Sequence, residues 1–268
     1  MAVAVGAHVK REDPIAAATE RGADLVQVFL GDPQSWSAPQ VDFDGGATAL
    51  RESAEQAGVG IVVHAPYVLN VASLNNRIRI PSRKQLQKTV TLAAQIGAIG
   101  VVVHGGHVRA EDDPEVGYDN WRKAIDQLEA PVPIFVENTA GGTNSMARGV
   151  AKIERLWEAV RAADGGDEVG FCLDTAHAFA GGDELDGLAA KIVAATGRID
   201  LVHANNSKGA FDSGADRHAA IHDTDAGLIP ADQIGALLKD AGAPVILETP
   251  GPAPVHAEEI TWVRGHLS

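Results

Sequence analysis

The sequence has little of what would place it quickly. Its 268 residues hold one cysteine, Cys172, which excludes a disulfide framework and makes a reducing cytoplasm the natural setting. No apolar run approaches the roughly 18 residues of a membrane span. The first residues, MAVAVGAHVKRED, lack the charged region, long apolar core and cleavage site of a signal peptide. No GxGxxG follows the first apolar run and no P-loop occurs, so the usual nucleotide signals of an open α/β sheet are missing. There is no G-x-S-x-G elbow for Ser-His-Asp catalysis. Basic residues are scarce, 22 Lys and Arg against 36 Asp and Glu, for a net charge of −14. That balance disfavours a polyanionic partner unless bound cations offset it. Three divalent ions would bring −14 to −8 and concentrate the added charge in one cleft.

What is present is ordinary in bulk, with 45% hydrophobic and 22% charged residues, and informative in pattern. Eight short β-branched runs (3–8, 25–30, 60–64, 100–104, 134–137, 169–174, 199–203 and 245–248) each end in polar or metal-capable residues. They are almost continuously apolar, as parallel strands covered on both faces should be. Between them lie helical stretches rich in Ala, Leu, Lys, Glu and Gln, among them 82–96, 119–129, 151–163 and 231–241. Eight units in 268 residues give about 33 residues each, the period of a (β/α)8 TIM barrel. The pattern predicts one catalytic domain over 1–268, with a doubly wound sheet as the competing fold. No linker or low-complexity segment divides the chain, and DGGD (164–167) and GGD (181–183) read as surface turns.

The chemistry lies in where His, Asp and Glu fall. His64, His104, Glu137, Asp174, His203 and Glu248 end six successive strands, the third to the eighth, and strand carboxyl ends in a barrel share one mouth. His177, three residues after Asp174, and the pair Asp216 and His218 add to them. Taken singly, a strand-end histidine is more often a hydrogen-bonded framework residue than a ligand. Glu137 and Glu248 end buried apolar runs, PIFVE and PVILE, where a carboxylate needs a cation or donor against desolvation. Six such residues at one end of six consecutive strands point to a metal cluster. Imidazole and carboxylate without thiolate suit zinc, manganese or iron, and nine candidates over-supply one ion. Close pairs of metals suit phosphate chemistry. Cys172, within GFCLD, reads as core. His8 and His107 are candidates for the mouth, His222, His256 and His266 for solvent. Trp36, Trp121, Trp157 and Trp262 read as packing residues.

The motifs HAPY (64–67), VVHGG (102–106), VENTAGG (136–142), FCLDTAHAFAGG (171–182), HANNSK (203–208) and DRH (216–218), in this order and spacing, resemble the endonuclease IV family. The likeness runs from GAHV (6–9) to ILETP (246–250). It implies a metal-dependent endonuclease of base-excision DNA repair that cuts the phosphodiester 5′ to an abasic site, leaving a 3′-hydroxyl and a 5′-deoxyribose phosphate. It further implies three divalent ions, Zn²⁺ foremost with Mn²⁺ or Fe²⁺ as alternatives. His64 and His104 would hold the first ion, with Glu137 bridging to the second and serving as the catalytic residue. Asp174, His203 and Glu248 would complete the second, and His177, Asp216 and His218 the third. The partner would be double-stranded DNA with abasic or 3′-blocked lesions, bent and with the lesion flipped out. No membrane partner is implied, and a cytoplasmic monomer is expected.

For DNA contacts the resemblance points to Tyr67 and Val68 as a wedge, Gln34, Lys208 and Arg217. Packing on the barrel rim accounts for Tyr67 equally well. The run Arg77, Arg79, Arg83, Lys84 and Lys88 reads either as a phosphate surface or as a solvated helix face. Three positions depart from the family pattern: Gln34 stands where an Arg is frequent, Ala219 where a second His is frequent, and IHDTDAG (221–227) replaces a short Gly-rich turn. The competing function is a metal-dependent sugar isomerase or epimerase of the xylose-isomerase-like barrels. There about four ligands serve one or two metals, and His177, Asp216 and His218 would be surplus. A non-catalytic metal-binding protein would not need so many ligands in an open mouth.

Overall fold

Each apolar run becomes a strand of one closed barrel. The computed structural model describes residues 2–142, 144–223 and 225–267. The first seven barrel strands are β1 (Val5–His8), β2 (Leu25–Phe29), β3 (Gly60–His64), β4 (Gly100–His104), β5 (Ile134–Glu137), β6 (Gly170–Asp174) and β7 (Leu201–His203). A two-stranded ribbon follows, β8 (Asn206–Ser207) with β9 (His218–Ala219), and the eighth barrel strand is β10 (Val245–Leu247). The order is β1-β10-β7-β6-β5-β4-β3-β2, every pair parallel. The connections carry α1 (Pro14–Arg21), α2 (Gly46–Ala57), α3 (Asn76–Gln95), α4 (Pro114–Ile125), α5 (Val150–Arg161), α6 (Thr175–Gly181), α7 (Leu188–Thr196), α8 (Ala231–Ala241) and α9 (Ala253–Leu267). This is the (β/α)8 TIM barrel the period predicts; closure leaves no sheet edge, whereas a doubly wound sheet would leave two.

Strand alternation builds the site. Leu25, Val62, Val102, Phe135, Cys172, Leu201 and Ile246 face inward and form a core of their own inside the barrel. Their neighbours, such as Val26, Val63, Val103, Val136, Leu173 and Leu247, join the larger core under the helices. Side chains two residues apart share a face. The next inward positions on β3 to β7 and after β10 are therefore His64, His104, Glu137, Asp174, His203 and Glu248. An apolar plug thus underlies a polar layer. Phe135 fits the plug because Gly100 and Gly170 flank it, and a Cβ on either would overlap its ring. Cys172 is fully buried in the plug, and burial pushes its thiol up to about 12.

Several boundaries differ from the sequence reading. Helix α3 starts at Asn76, before Pro81, because Asn75 caps it by accepting from the Arg77 N–H. Helix α4 starts at Pro114, where Asp113 accepts from the Glu115 N–H and proline occupies the first turn. The residues 166–168 form a short 3-10 turn, and Gly182 caps α6 in the left-handed region. Trp121 and Trp157 are core, Trp262 is half-buried and Trp36 is 46% exposed. Thr224, inside the 221–227 turn, lies outside the described residues.

Helix α9 clamps the last part of the mouth. Glu259 is buried and accepts from the Ile221 N–H (2.6 Å) and the Thr249 hydroxyl (2.5 Å), tying the chain after His218 to the chain after Glu248. His256, expected in solvent, is buried beside it: Nε2 donates to the Thr249 carbonyl and Nδ1 accepts from Arg21. His222 is exposed, and His266 is half-buried against Trp262. Glu259→Ala would strand a buried N–H and should cost about 1–3 kcal/mol. A denaturant midpoint giving less than about 0.5 kcal/mol, the range of a neutral surface change, would show that the clamp contributes nothing.

Candidate metal centre

The nine sequence candidates meet in one mouth. Among the described residues three groups bring ligand atoms within 4.8 Å of one another: His64, His104 and Glu137; Glu137, Asp174, His203 and Glu248; and Asp174, His177 and His218. Glu137 is fully buried at their centre. Its Oε2 lies 3.2 Å from Nε2 of both His64 and His104, and its Oε1 lies 3.1 Å from His203 Nδ1 and 3.2 Å from His177 Nδ1. Asp216 reaches in from the segment before β9, with Oδ1 3.1 Å from His177 Nε2 and 3.3 Å from His218 Nε2. Asp174 sits between two groups: Oδ1 caps α6 by accepting from the His177 N–H (2.6 Å), and Oδ2 lies 3.8 Å from His218 Nε2.

The outward partners set which nitrogen of each ring faces the centre. His64 Nδ1–H donates to the Ala65 carbonyl (2.7 Å), leaving Nε2 bare toward Glu137. His177 Nδ1–H donates to the Asn138 carbonyl (3.0 Å). Its Nε2 and that of His218 are buried without a hydrogen bond. Such backbone anchoring of a ring, with the other nitrogen aimed into a cluster, is what metal-binding histidines show. Orphaned buried nitrogens facing carboxylates, in an all-N/O donor set, fit divalent cations.

Without a cation, protons balance the carboxylates. Burial opposes charge on His177, but Asp174 and the adjacent carboxylates of Asp216 and Glu137 outweigh it, so the ring sits well above the ordinary imidazole range. His203 is raised likewise against burial by its charged neighbours, and His218 is raised to about 9, chiefly by Asp216. Desolvation pushes Glu137 and Glu248 upward, yet the surrounding imidazoles win: Glu137 lies well below the usual carboxylate range and Glu248 at about 2.

Residues 15–266 match the model of the xylose isomerase-like TIM barrel family. A Mycobacterium tuberculosis protein named "probable endonuclease 4" is 51% identical over 245 residues, 91% of this chain and 92% of that one. The chain belongs to the endonuclease IV family. Endonuclease IV from Thermus thermophilus superposes with a TM-score of 0.81 at 27% identity, covering 98% of both chains. A D-tagatose 3-epimerase-like protein also superposes, with a TM-score of 0.77, 21% identity and 98% coverage of both chains, which reports the shared barrel alone. As a member of the endonuclease IV family, the protein is an enzyme of the endonuclease class.

Around this family site the predicted rim residues are dispersed. Tyr67 is 51% exposed, stacked on His104 with ring centroids 5.6 Å apart. Val68 is half-buried beside it, and both line a cleft of about 600 Å³ with Asn70, His107, His177 and Asp216. Lys208 and Arg217 are exposed and face each other across the ribbon, Lys208 N donating to the Arg217 carbonyl (2.8 Å). Gln34 is exposed on the loop after β2. The basic run on α3 divides. Arg79 donates to the Ser73 and Leu74 carbonyls and Arg83 to the Asn120 carbonyl, so both brace the helix; Arg77, Lys84 and Lys88 are exposed. His107 lines the cleft and His8 Nδ1 lies 3.8 Å from Glu248 Oε1, so both border the mouth.

Sequence reasoning missed the supporting amides. Asn138 accepts from the Asp174 N–H (2.7 Å) and donates to its carbonyl (2.9 Å). Asn205 donates to Asp174 Oδ2 (2.7 Å) and accepts from the Glu248 N–H (2.9 Å). Both stand one or two residues after a candidate ligand, in VENT and HANN, and that adjacency was the available signal.

Proposed function

We propose that the protein is a DNA-repair endonuclease that hydrolyses the phosphodiester 5′ to an abasic site in duplex DNA, leaving a 3′-hydroxyl and a 5′-deoxyribose phosphate. The observation that carries the reading is the convergence of five histidines and four carboxylates in overlapping groups at the floor of an open cleft. His64 and His104 would hold one divalent ion, Asp174, His203 and Glu248 a second, and His177, His218 and Asp216 a third. Glu137 would be shared by the first two, and Zn²⁺ suits this donor set best. Bound ions would polarise the phosphate, activate water and neutralise the leaving oxygen.

The chain's own residues prepare that chemistry. Ala65 and Asn138 fix the rings of His64 and His177 by their carbonyls, so the ligands need no rearrangement on binding. Asp174 is held by Asn138 and Asn205, which limits the positions open to its carboxylate. At the rim, Tyr67 and Val68 would fill the space a flipped nucleotide leaves, with Lys208, Arg217 and Gln34 reaching phosphates. A net charge of −14 is tolerable because the three ions would place six positive charges beside only four carboxylates at the floor. Residues 1–268 would act as one catalytic domain, working as a monomer.

The test is incubation of the zinc-loaded protein with a duplex carrying one abasic-site analogue. Incision on the 5′ side with a 3′-hydroxyl end is expected. No incision, together with turnover of a ketose or aldose, would replace this reading with the sugar isomerase.

A further inference from the structure

Strand β2 supplies none of the nine candidate ligands, yet its inward position beneath the mouth is polar. Alternation places Leu25 in the barrel plug, and the next inward side chain is Gln27, fully buried within the otherwise apolar LVQVF. A buried amide must have every hydrogen-bonding group partnered, or its desolvation destabilises the fold. Here each partner belongs to the mouth. Gln27 Oε1 accepts from His203 Nε2–H (2.8 Å). Its Nε2 donates to Glu248 Oε1 (2.6 Å) and lies 3.0 Å from His8 Nδ1. The amide can face only one way. Reversed, its oxygen would oppose the Glu248 carboxylate and its NH₂ would oppose the His203 N–H.

We infer that Gln27 is a positioning residue for the group formed by Glu137, Asp174, His203 and Glu248. Holding the proton on His203 Nε2 makes Nδ1 the nitrogen a cation would take, and it faces Glu137 Oε1 (3.1 Å) and Glu248 Oε2 (3.4 Å). Holding Glu248 Oε1 turns its other oxygen to the same point. One side chain thereby fixes the tautomer of one ligand and the rotation of another, from a strand 176 residues away in sequence from His203. Gln27 touches no reacting atom; it acts through the two ligands. The inference rests on the metal-centre reading above and on no particular substrate.

Gln27→Met keeps the length of the side chain and removes both hydrogen-bonding functions. Gln27→Leu gives the same contrast if the Met chain does not accumulate. Leu25→Met, at the preceding inward position of the same strand, controls for altered packing. The metal-stripped chains are titrated with Zn²⁺ alone against a chromophoric chelator, and their thermal midpoints are recorded. In Gln27→Met, one equivalent should weaken by about 10–100-fold while the others stay as in wild type. Leu25→Met should bind as wild type does. On an abasic duplex, kcat at limiting zinc should fall, recover with excess zinc, and leave KM unchanged. Wild-type affinities in Gln27→Met would overturn the inference. So would a uniform loss over all equivalents with a lowered midpoint that Leu25→Met reproduces. Since the titration reads zinc alone, it decides the point even for an enzyme that cuts no abasic DNA; a wild-type chain taking up no zinc would overturn the metal reading as well.

Discussion

Glu137→Gln should reduce incision by at least about a thousandfold, about 4 kcal/mol of transition-state stabilisation, with the far-UV circular dichroism unchanged. The carboxylate is fully buried and uses both oxygens, Oε2 toward His64 and His104, Oε1 toward His177 and His203. An amide of the same shape keeps the volume of the buried side chain. It replaces one acceptor with a donor and removes the charge shared by two of the three groups. The loss should appear in kcat at saturating duplex and persist with excess metal, because the missing oxygen cannot be restored by mass action. Activity within tenfold of wild type would show that Glu137 does not bridge.

Removing the metals should abolish activity and lower stability together, with a pH dependence of defined sign. Four carboxylates and five imidazoles crowd the mouth, and in the metal-free chain protons on His177, His203 and His218 supply the counter-charge. A histidine raised from 6.5 to about 9, as His218 is, contributes its full stabilisation below pH 6.5 and loses it as pH climbs through 9. Metal binding needs bare nitrogens, so its affinity rises over the same range. The gap in thermal midpoint between loaded and stripped protein should therefore widen from pH 6.5 to pH 9. At free zinc a thousandfold above its dissociation constant, one site contributes about 4 kcal/mol. Calorimetry in both states checks the trend, and a gap that narrows with pH would contradict it. Elemental analysis should return close to three ions per chain; one ion would dismiss the three-metal assignment.

The sequence by itself determined the barrel and the polar mouth, because both come from short-range periodicities. The two-residue alternation of a strand and the roughly 33-residue β/α unit are local, so PIFVE and PVILE announce a carboxylate at the end of a buried strand before any contact is known. The order of HAPY, VENTAGG, FCLDTAHAFAGG and DRH then pointed to the family. Spacing along the chain does not say which candidate side chains meet; the tertiary structure brings their atoms together. Asp174 caps α6 with one oxygen and turns the other toward His218, a choice no spacing encodes. The ribbon that brings in His218 has two residues per strand, too few for any pattern to register. His256 reads as a solvent residue until α9 is laid against β1 and α8, and the buried Glu259 beside it has no signal in the sequence. Gln27 meets Glu248 across 221 residues, because closing the barrel sets β2 and β10 on either side of β1. Contacts made by closure depend on register around the whole ring, and that register is a property of the folded barrel and of no single segment.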